Sequence, residues 1–572
     1  MRKILGSIAL LTLQAAAYAQ SADTDLYRQS SEVNNIMVQY NADRGTLGRF
    51  YAIPNTPDRR ERMAVLQETY LKRLEQLDFD KLPVGSRVEY ILFRRNLNDE
   101  LFRLHEEKKE YAAVEKWFPF AERIYAIERN RRRGTAPDAE KLAGELNTIV
   151  KELLVKKTQL QKDSAMPLEL SRRAAGVARG LQASVKSAYD FYNGYDPLFS
   201  WWVPMPYKYL DSLLSAYAGA FQAKGKNAGS QQDDGSGIIG NPIGTQELIR
   251  QLKEEMIPYT PDELIAIANK EFAWCDAEML KASREMGFGD NWKAAMEKVK
   301  NTYVPAGKQP EAMMKLYNES LDFIKKNNLV TIPELAEETW RMSMMSPERQ
   351  LVAPFFLGGE EFIISYPTNT MAHEDKMMSM RGNNPHFSRA TVHHELLAGH
   401  AMQQFMNSRY RTYRRFGTPF WTEGWSLYWE RLLWDKKFPQ SPEDRIGMLF
   451  WRMHRCARII FSLSYHTHKW TPQQCIGFLV DRVNFERANA EGEVRRSFTG
   501  GYGPLYQVAY MIGGLQFEAL RFELVESGKM SYREFHDAII TENAMPVEMV
   551  RAILLKQPLK KDFKTSWRFY KL

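Results

Sequence analysis

The stretch DRRERMAVLQETYLKRLEQLDFDKLPVGSRVEYILFRRNLNDELFRLHEE, residues 58–107, decides the fold class. It is rich in Leu, Arg and Glu, and its apolar residues recur every three or four positions, which gives a helix one oily face. Residues 138–161 repeat the pattern. Further on, helix starts are spelled out. Thr260-Pro261-Asp262-Glu263 sets an N-cap, a proline at the first helical position and a capping-box glutamate in order. Ser441-Pro442-Glu443-Asp444 and Thr471-Pro472-Gln473-Gln474 are variants of the same device. There is no βαβ alternation and no repeat of fixed period, so a large, mainly α, multi-helix fold is expected.

Two stretches interrupt the helices. Residues 224–245 (KGKNAGSQQDDGSGIIGNPIGT) are polar and Gly-rich, as a linker between two helical regions is. Phe355-Phe356-Leu357 and Phe362-Ile363-Ile364-Ser365-Tyr366 flank Gly358-Gly359 and read as a small β-hairpin or sheet beside a cleft. Such an edge could hold an extended peptide through its main chain, or simply close the core. The expected organisation is a signal peptide at 1–19, an N-terminal helical region at 20–240 and a catalytic helical region at 241–572.

The chain has 572 residues, 44% hydrophobic and 26% charged, with a net charge of +8. That composition supports a large soluble core. No Lys/Arg cluster interleaved with aromatics stands out, so nucleic acid is not an expected partner. No stretch approaches the ~20 uninterrupted apolar residues of a membrane span. Arg2 and Lys3, the apolar run Ile4 to Leu13 and Ala17-Tyr18-Ala19 read as a secretory signal peptide cleaved after Ala19. No cysteine follows the cleavage site, so a soluble periplasmic or secreted protein is expected rather than a lipid-anchored one. Cys275, Cys456 and Cys475 do not form a disulfide framework. Buried free thiols are expected, and the spacing leaves open whether Cys456 and Cys475 pair.

Six of the ten histidines fall between Met371 and Tyr465, three of them in His393-His394-Glu395-Leu396-Leu397-Ala398-Gly399-His400. A catalytic zinc site takes three protein ligands, leaves one position open and keeps a carboxylate nearby as base. In HExxH the two histidines stand four apart on one helical face. Here they stand six apart. On a regular helix that leaves the rings roughly 120° apart in azimuth and about 9 Å apart along the axis. A bulge or break must absorb two residues, and Gly399 sits where backbone freedom is useful. Downstream, Trp421-Thr422-Glu423-Gly424-Trp425 offers Glu423 as a third ligand. Glu430 follows one heptad later and is placed to orient a ligating histidine.

At these residues the chain resembles a bacterial domain-of-unknown-function family, number 885. Its members carry an HExxPGH-type motif, then EGWxxY, then a late Tyr-x-x-Gly. Here these read HELLAGH at 394–400, Glu423-Gly-Trp-Ser-Leu-Tyr428, and Tyr510-Met-Ile-Gly513. Asn241-Pro242-Ile243-Gly244 and the Tyr259-Thr260-Pro261-Asp262-Glu263 start resemble the same family's middle region, so the likeness runs from about residue 40 onward. More distantly, Gly399-His400-Ala401-Met402 is similar to the thimet oligopeptidase and dipeptidyl carboxypeptidase group of gluzincins, which are helical, clamshell-like and act on short peptides. The resemblance implies one Zn2+ per chain on His394, His400 and Glu423, Glu395 as general base, and Tyr510 as donor to the oxyanion. The chain departs from the family at Ala398, where Pro is usual, and at Leu505-Tyr506 after Pro504, a change expected to affect substrate contacts. Arg495 and Arg496, after Glu493, fall where the family has Glu-x-x-Arg; an arginine there suits a substrate carboxylate.

His393 is expected to pack or hydrogen-bond behind the ligands rather than ligate. His373 and His386 are expected in a loop, His466 and His468 as structural residues, and the Trp421, Trp425, Trp429 series as core. The expected function is an exported zinc metallopeptidase hydrolysing short peptides. Two readings compete with it: a zinc amidohydrolase acting on a cell-wall peptide or other amide, and a non-catalytic helical peptide-binding protein. The oligomeric state is not written in the sequence.

Overall fold

Polar side chains that accept from otherwise orphaned N–H groups fix the helix starts. Thr260 accepts from Glu263 N–H at 3.2 Å, and the Glu263 carboxylate accepts from Thr260 N–H at 2.7 Å. Thr471 and Gln474 close the same reciprocal box. Ser441 accepts from Asp444 N–H, but Asp444 turns one residue further back, to Gln440 N–H at 3.0 Å. Such caps are worth about 1 kcal/mol each.

The computed structural model describes residues 31–226, 233–350 and 355–572; the signal peptide expected at 1–19 lies outside the described residues. The chain divides into two units. One comprises Asn35–Lys81 and Leu92–Gln231. The other comprises Leu82–Ile91 and the chain from Gln232 to Leu572. In the smaller unit the stretch that set the fold class behaves as read. Thr56 caps the helix Pro57–Glu75, which buries Met63, Leu66, Tyr70 and Leu74 at spacings of three and four. The helix Ala139–Lys162 likewise buries Leu142, Leu146, Ile149 and Leu153. These join Leu181, Leu210 and Phe221 in one core.

The larger unit is built on α1 (Pro261–Glu285), α2 (Pro385–Glu395), α3 (His400–Asn407), α4 (Pro419–Asp435), α5 (Pro442–His466), α6 (Arg487–Thr499) and α7 (Tyr506–Arg521). α4 and α5 are buried nearly all round, so they are interior helices rather than amphipathic surface ones. Trp421, Trp425 and Trp429 are fully buried, as expected of core. Mainly α architecture is thus confirmed, with a small sheet. Strand β1 (Arg341–Met344) runs parallel to β2 (Glu361–Ile364), in register from Arg341 opposite Glu361 to Met344 opposite Ile364. The expected partner of β2, Phe355–Leu357, contributes one antiparallel bridge, Leu357 to Ile363. The Gly-Gly corner is therefore a turn within a sheet whose ladder partner lies further upstream.

His373 opens a helix, His373–Gly382, and His386 lies in the first turn of α2 with Nδ1 2.7 Å from Asp444, so neither is a loop residue. Asn384 caps α2 and Pro385 takes its first position. All three cysteines are buried and free. Among the described residues no helix is long and apolar enough to cross a membrane.

Candidate metal centre

α2 ends at Glu395 and α3 begins at His400, so the six-residue interval is spanned by two helices and a break. Leu396 (φ −101°, ψ −134°) and Gly399 (φ −82°, ψ −129°) leave the helical region, and the Leu397–Ala398 peptide is cis. The chain folds back so closely that a Cβ on Gly399 would stand 1.9 Å from the His394 carbonyl oxygen and 2.5 Å from that of His393. Glycine is required here by proximity. The indole N–H of Trp425 donates to the Ala398 carbonyl at 2.8 Å and pins the break to α4. The imidazoles of His394 and His400, which one straight helix would hold apart, stand 4.9 Å apart between centroids.

Glu423 is delivered by the contact of α4 with α7. A Cβ on Gly424 would lie 2.6 Å from Gly513 Cα, and one on Gly513 would lie 2.0 Å from the Phe420 carbonyl oxygen. The two helices therefore meet backbone to backbone, which explains both the glycine after Glu423 and the one after Tyr510.

The three side chains converge. Glu423 Oε2 lies 3.3 Å from His400 Nε2 and 3.6 Å from His394 Nε2, and one ligand atom from each residue falls within 4.8 Å of the others. Tetrahedral zinc with ligands about 2.1 Å away spaces them roughly 3.4 Å apart, so the set fits that ion. The tautomers fit too. His394 Nδ1 bonds Glu430 Oε1 at 2.7 Å, and His400 Nδ1 bonds Gln403 Oε1 at 3.0 Å, so both rings turn Nε2 toward Glu423. Glu423 Oε2 is buried and, the approach of the two histidines aside, accepts no hydrogen bond among the described residues, while Oε1 accepts from the Tyr506 hydroxyl. Burial alone would raise Glu423, yet His400 and His394 hold it well below the usual carboxylate range.

Glu430 is the orienting carboxylate the spacing suggested. Burial would raise it, but Arg455 and His394 draw it down to about 2, so it stays charged. Arg455 Nη2 donates to the same oxygen at 3.1 Å. Glu430→Gln is expected to weaken zinc binding about 10- to 100-fold. Competition against a calibrated chelator checks it, and unchanged affinity would remove Glu430 from the site.

Glu395 and Tyr510 line an open cavity of about 310 Å³ shared with the three converging residues. Burial pushes Glu395 up against the pull of His394 and His400. A Cβ on Gly358 would come within 2.4 Å of the Glu395 carboxylate and carbonyl, so the Gly-Gly turn packs directly on this residue. Tyr510 stacks on His394 with centroids 6.1 Å apart, and burial raises its phenol.

Other expectations separate. His393 packs edge-on against Phe438 at 5.7 Å, and burial pushes it down to about 3. It is a neutral core residue, because the next position on a helix points about 100° elsewhere. For the same reason Arg495 and Arg496 part company. Arg495 donates to the carbonyls of Gly237 and Ser236, whereas Arg496 lines the cavity and donates to the Tyr502 hydroxyl at 2.9 Å. Tyr506, expected at the substrate, lines the cavity but also holds Glu423. Sequence reading missed Arg455 and Arg458. Their signal was arginine at three-residue spacing, Arg452, Arg455 and Arg458, within the largely apolar run Met448–Phe461.

A mainly helical chain with a buried His-His-Glu set and a neighbouring carboxylate is the class that fold and site define. Residues 52–554 match the family described as bacterial protein of unknown function (DUF885), and the chain belongs to that family. No curated protein matches it. Among solved structures it is similar to a candidate lipoprotein of unknown function from Shewanella oneidensis. That likeness has 16% identity and a TM-score of 0.65, covering 92% of this chain and all of that one. It is also similar to a candidate lipoprotein from Colwellia psychrerythraea, at 15% identity and a TM-score of 0.52 over 88% and 91% of the two chains. At these identities the likeness concerns the fold.

Proposed function

We propose that the protein is an exported zinc-dependent peptidase acting on short peptides. The observation that carries the reading is the convergence of His394 Nε2, His400 Nε2 and Glu423 Oε2 in a cavity that also holds Glu395. Zinc held there supplies Lewis acidity toward a carbonyl oxygen and toward water. Glu395, raised by burial, takes a proton from the attacking water and returns it to the leaving amine nitrogen. The Tyr510 phenol, kept protonated by burial, donates to the oxygen on which negative charge develops. Tyr506 and Glu430 fix the orientation of Glu423 and His394. The signal-peptide pattern read at 1–19 supports export, as does the lipoprotein description of the two similar solved chains.

Metal content by inductively coupled plasma mass spectrometry tests the reading at its root, on protein purified without chelators or a His-tag. About one zinc per chain is expected in the wild type and almost none in His400→Ala, because two remaining ligands hold zinc poorly. A wild type without zinc, or a variant that keeps it, would overturn the assignment and favour a peptide-binding protein.

A further inference from the structure

Three arginines, Arg455, Arg458 and Arg496, line the cavity beside the converging ligands, each less than a tenth exposed. Burying a guanidinium is costly unless its charge and its donors are met. Here they are met incompletely. Arg455 shares Glu430 with His394. Arg458 Nε donates to Glu493 at 2.7 Å, and Arg496 Nη1 stands 3.8 Å from the same carboxylate. Three cations thus divide two carboxylates, Glu430 beside His394 and Glu493 beside His454, and Arg496 has the Tyr502 hydroxyl as a further acceptor. Arg455 Nε, Arg458 Nη1 and Arg496 Nε are buried and find no partner among the described residues. The guanidiniums of Arg458 and Arg455 lie 4.3 and 4.8 Å from the centre of the Tyr510 ring, which itself stacks on His394. One aromatic ring therefore separates these guanidiniums from His394.

From this geometry we infer that Arg458, Arg496 and Arg455 form a subsite for the free C-terminal carboxylate of a peptide. The cleaved bond then lies within a residue or two of the chain end, and the enzyme releases a short C-terminal fragment. The inference rests on the proposed peptidase reading and adds the end of the substrate to it. A carboxylate presents two oxygens in the plane a guanidinium fork matches, and an amide cannot carry the charge.

The test uses the full-length, zinc-loaded wild type and three probes: N-acetyl-tetraalanine, its C-terminal amide, and the same amide with glutamate replacing its last alanine. The free acid is expected to be cleaved with kcat/KM about 100-fold above either amide, with the difference mostly in KM. Calorimetry with N-acetyl-dialanine and its amide reads the subsite without turnover, and only the acid should bind measurably. Arg458→Lys and Arg496→Lys, checked for intact folding by circular dichroism, should shrink the acid-to-amide ratio. Equal cleavage and equal binding of acid and amide would overturn the subsite and leave the peptidase reading standing. The glutamate amide matching the free acid would overturn it in favour of a side-chain carboxylate site. Selective binding of the acid without cleavage of any probe would uphold the subsite and sink the peptidase reading.

Discussion

Glu395→Gln retains zinc and loses about a thousandfold in kcat/KM toward a peptide substrate. The substitution keeps the shape of the side chain and removes only its ability to carry a proton between water and amine. Glu395 is not among the three converging ligands, so metal content should stay at the wild-type level. The pH profile sharpens the test. The wild-type kcat/KM should carry an acidic limb, from protonation of the Glu395 base, that is absent from the variant's residual rate. Single-turnover rates with zinc quantified on the same samples decide the matter. A variant with both zinc and full activity would remove Glu395 from the chemistry.

Gly399→Ala is expected to abolish zinc binding and to lower stability by about 3 kcal/mol. The added methyl would sit 1.9 Å from the His394 carbonyl oxygen, in backbone that cannot swing aside as a side-chain tip does. Relief requires the end of α2 and the start of α3 to separate, which carries His400 away from His394. Denaturant midpoints and zinc stoichiometry, compared with Ala398→Gly as a control outside the contact, test this. A variant as stable and as zinc-rich as wild type would show that the break tolerates a side chain.

Much of this was legible in the sequence, for reasons that differ by residue. Helix periodicity in residues 58–107 and the Thr260 and Thr471 boxes are local signals, and the structure matches them. The need for a break between His394 and His400 followed from helix geometry alone, and the Glu430 contact followed from its spacing after Glu423. Contacts made by distant segments were not legible. Pairing β2 with Arg341–Met344 rather than Phe355–Leu357 depends on a strand with no strong pattern of its own. Gly358 looked like a turn residue, and only its approach to Glu395 shows why it must be small. Arg495 was named through its neighbour in sequence, and helical rotation sends it elsewhere.

The divided helix changes what specifies the centre. Along one continuous screw, the bearing between two side chains is quantised by pitch, and a one-residue insertion swings everything beyond it by about 100°. Here α2 and α3 have independent phases, and the bearing of His400 is set by the hydrogen bond from Trp425 and by the tight return at Gly399. The spelling of the centre therefore spans two distant words, the Gly-His that ends one and the Gly-Trp that follows Glu423. A pattern search keyed to histidines four apart would pass this chain by, whereas one that pairs those two words would find it.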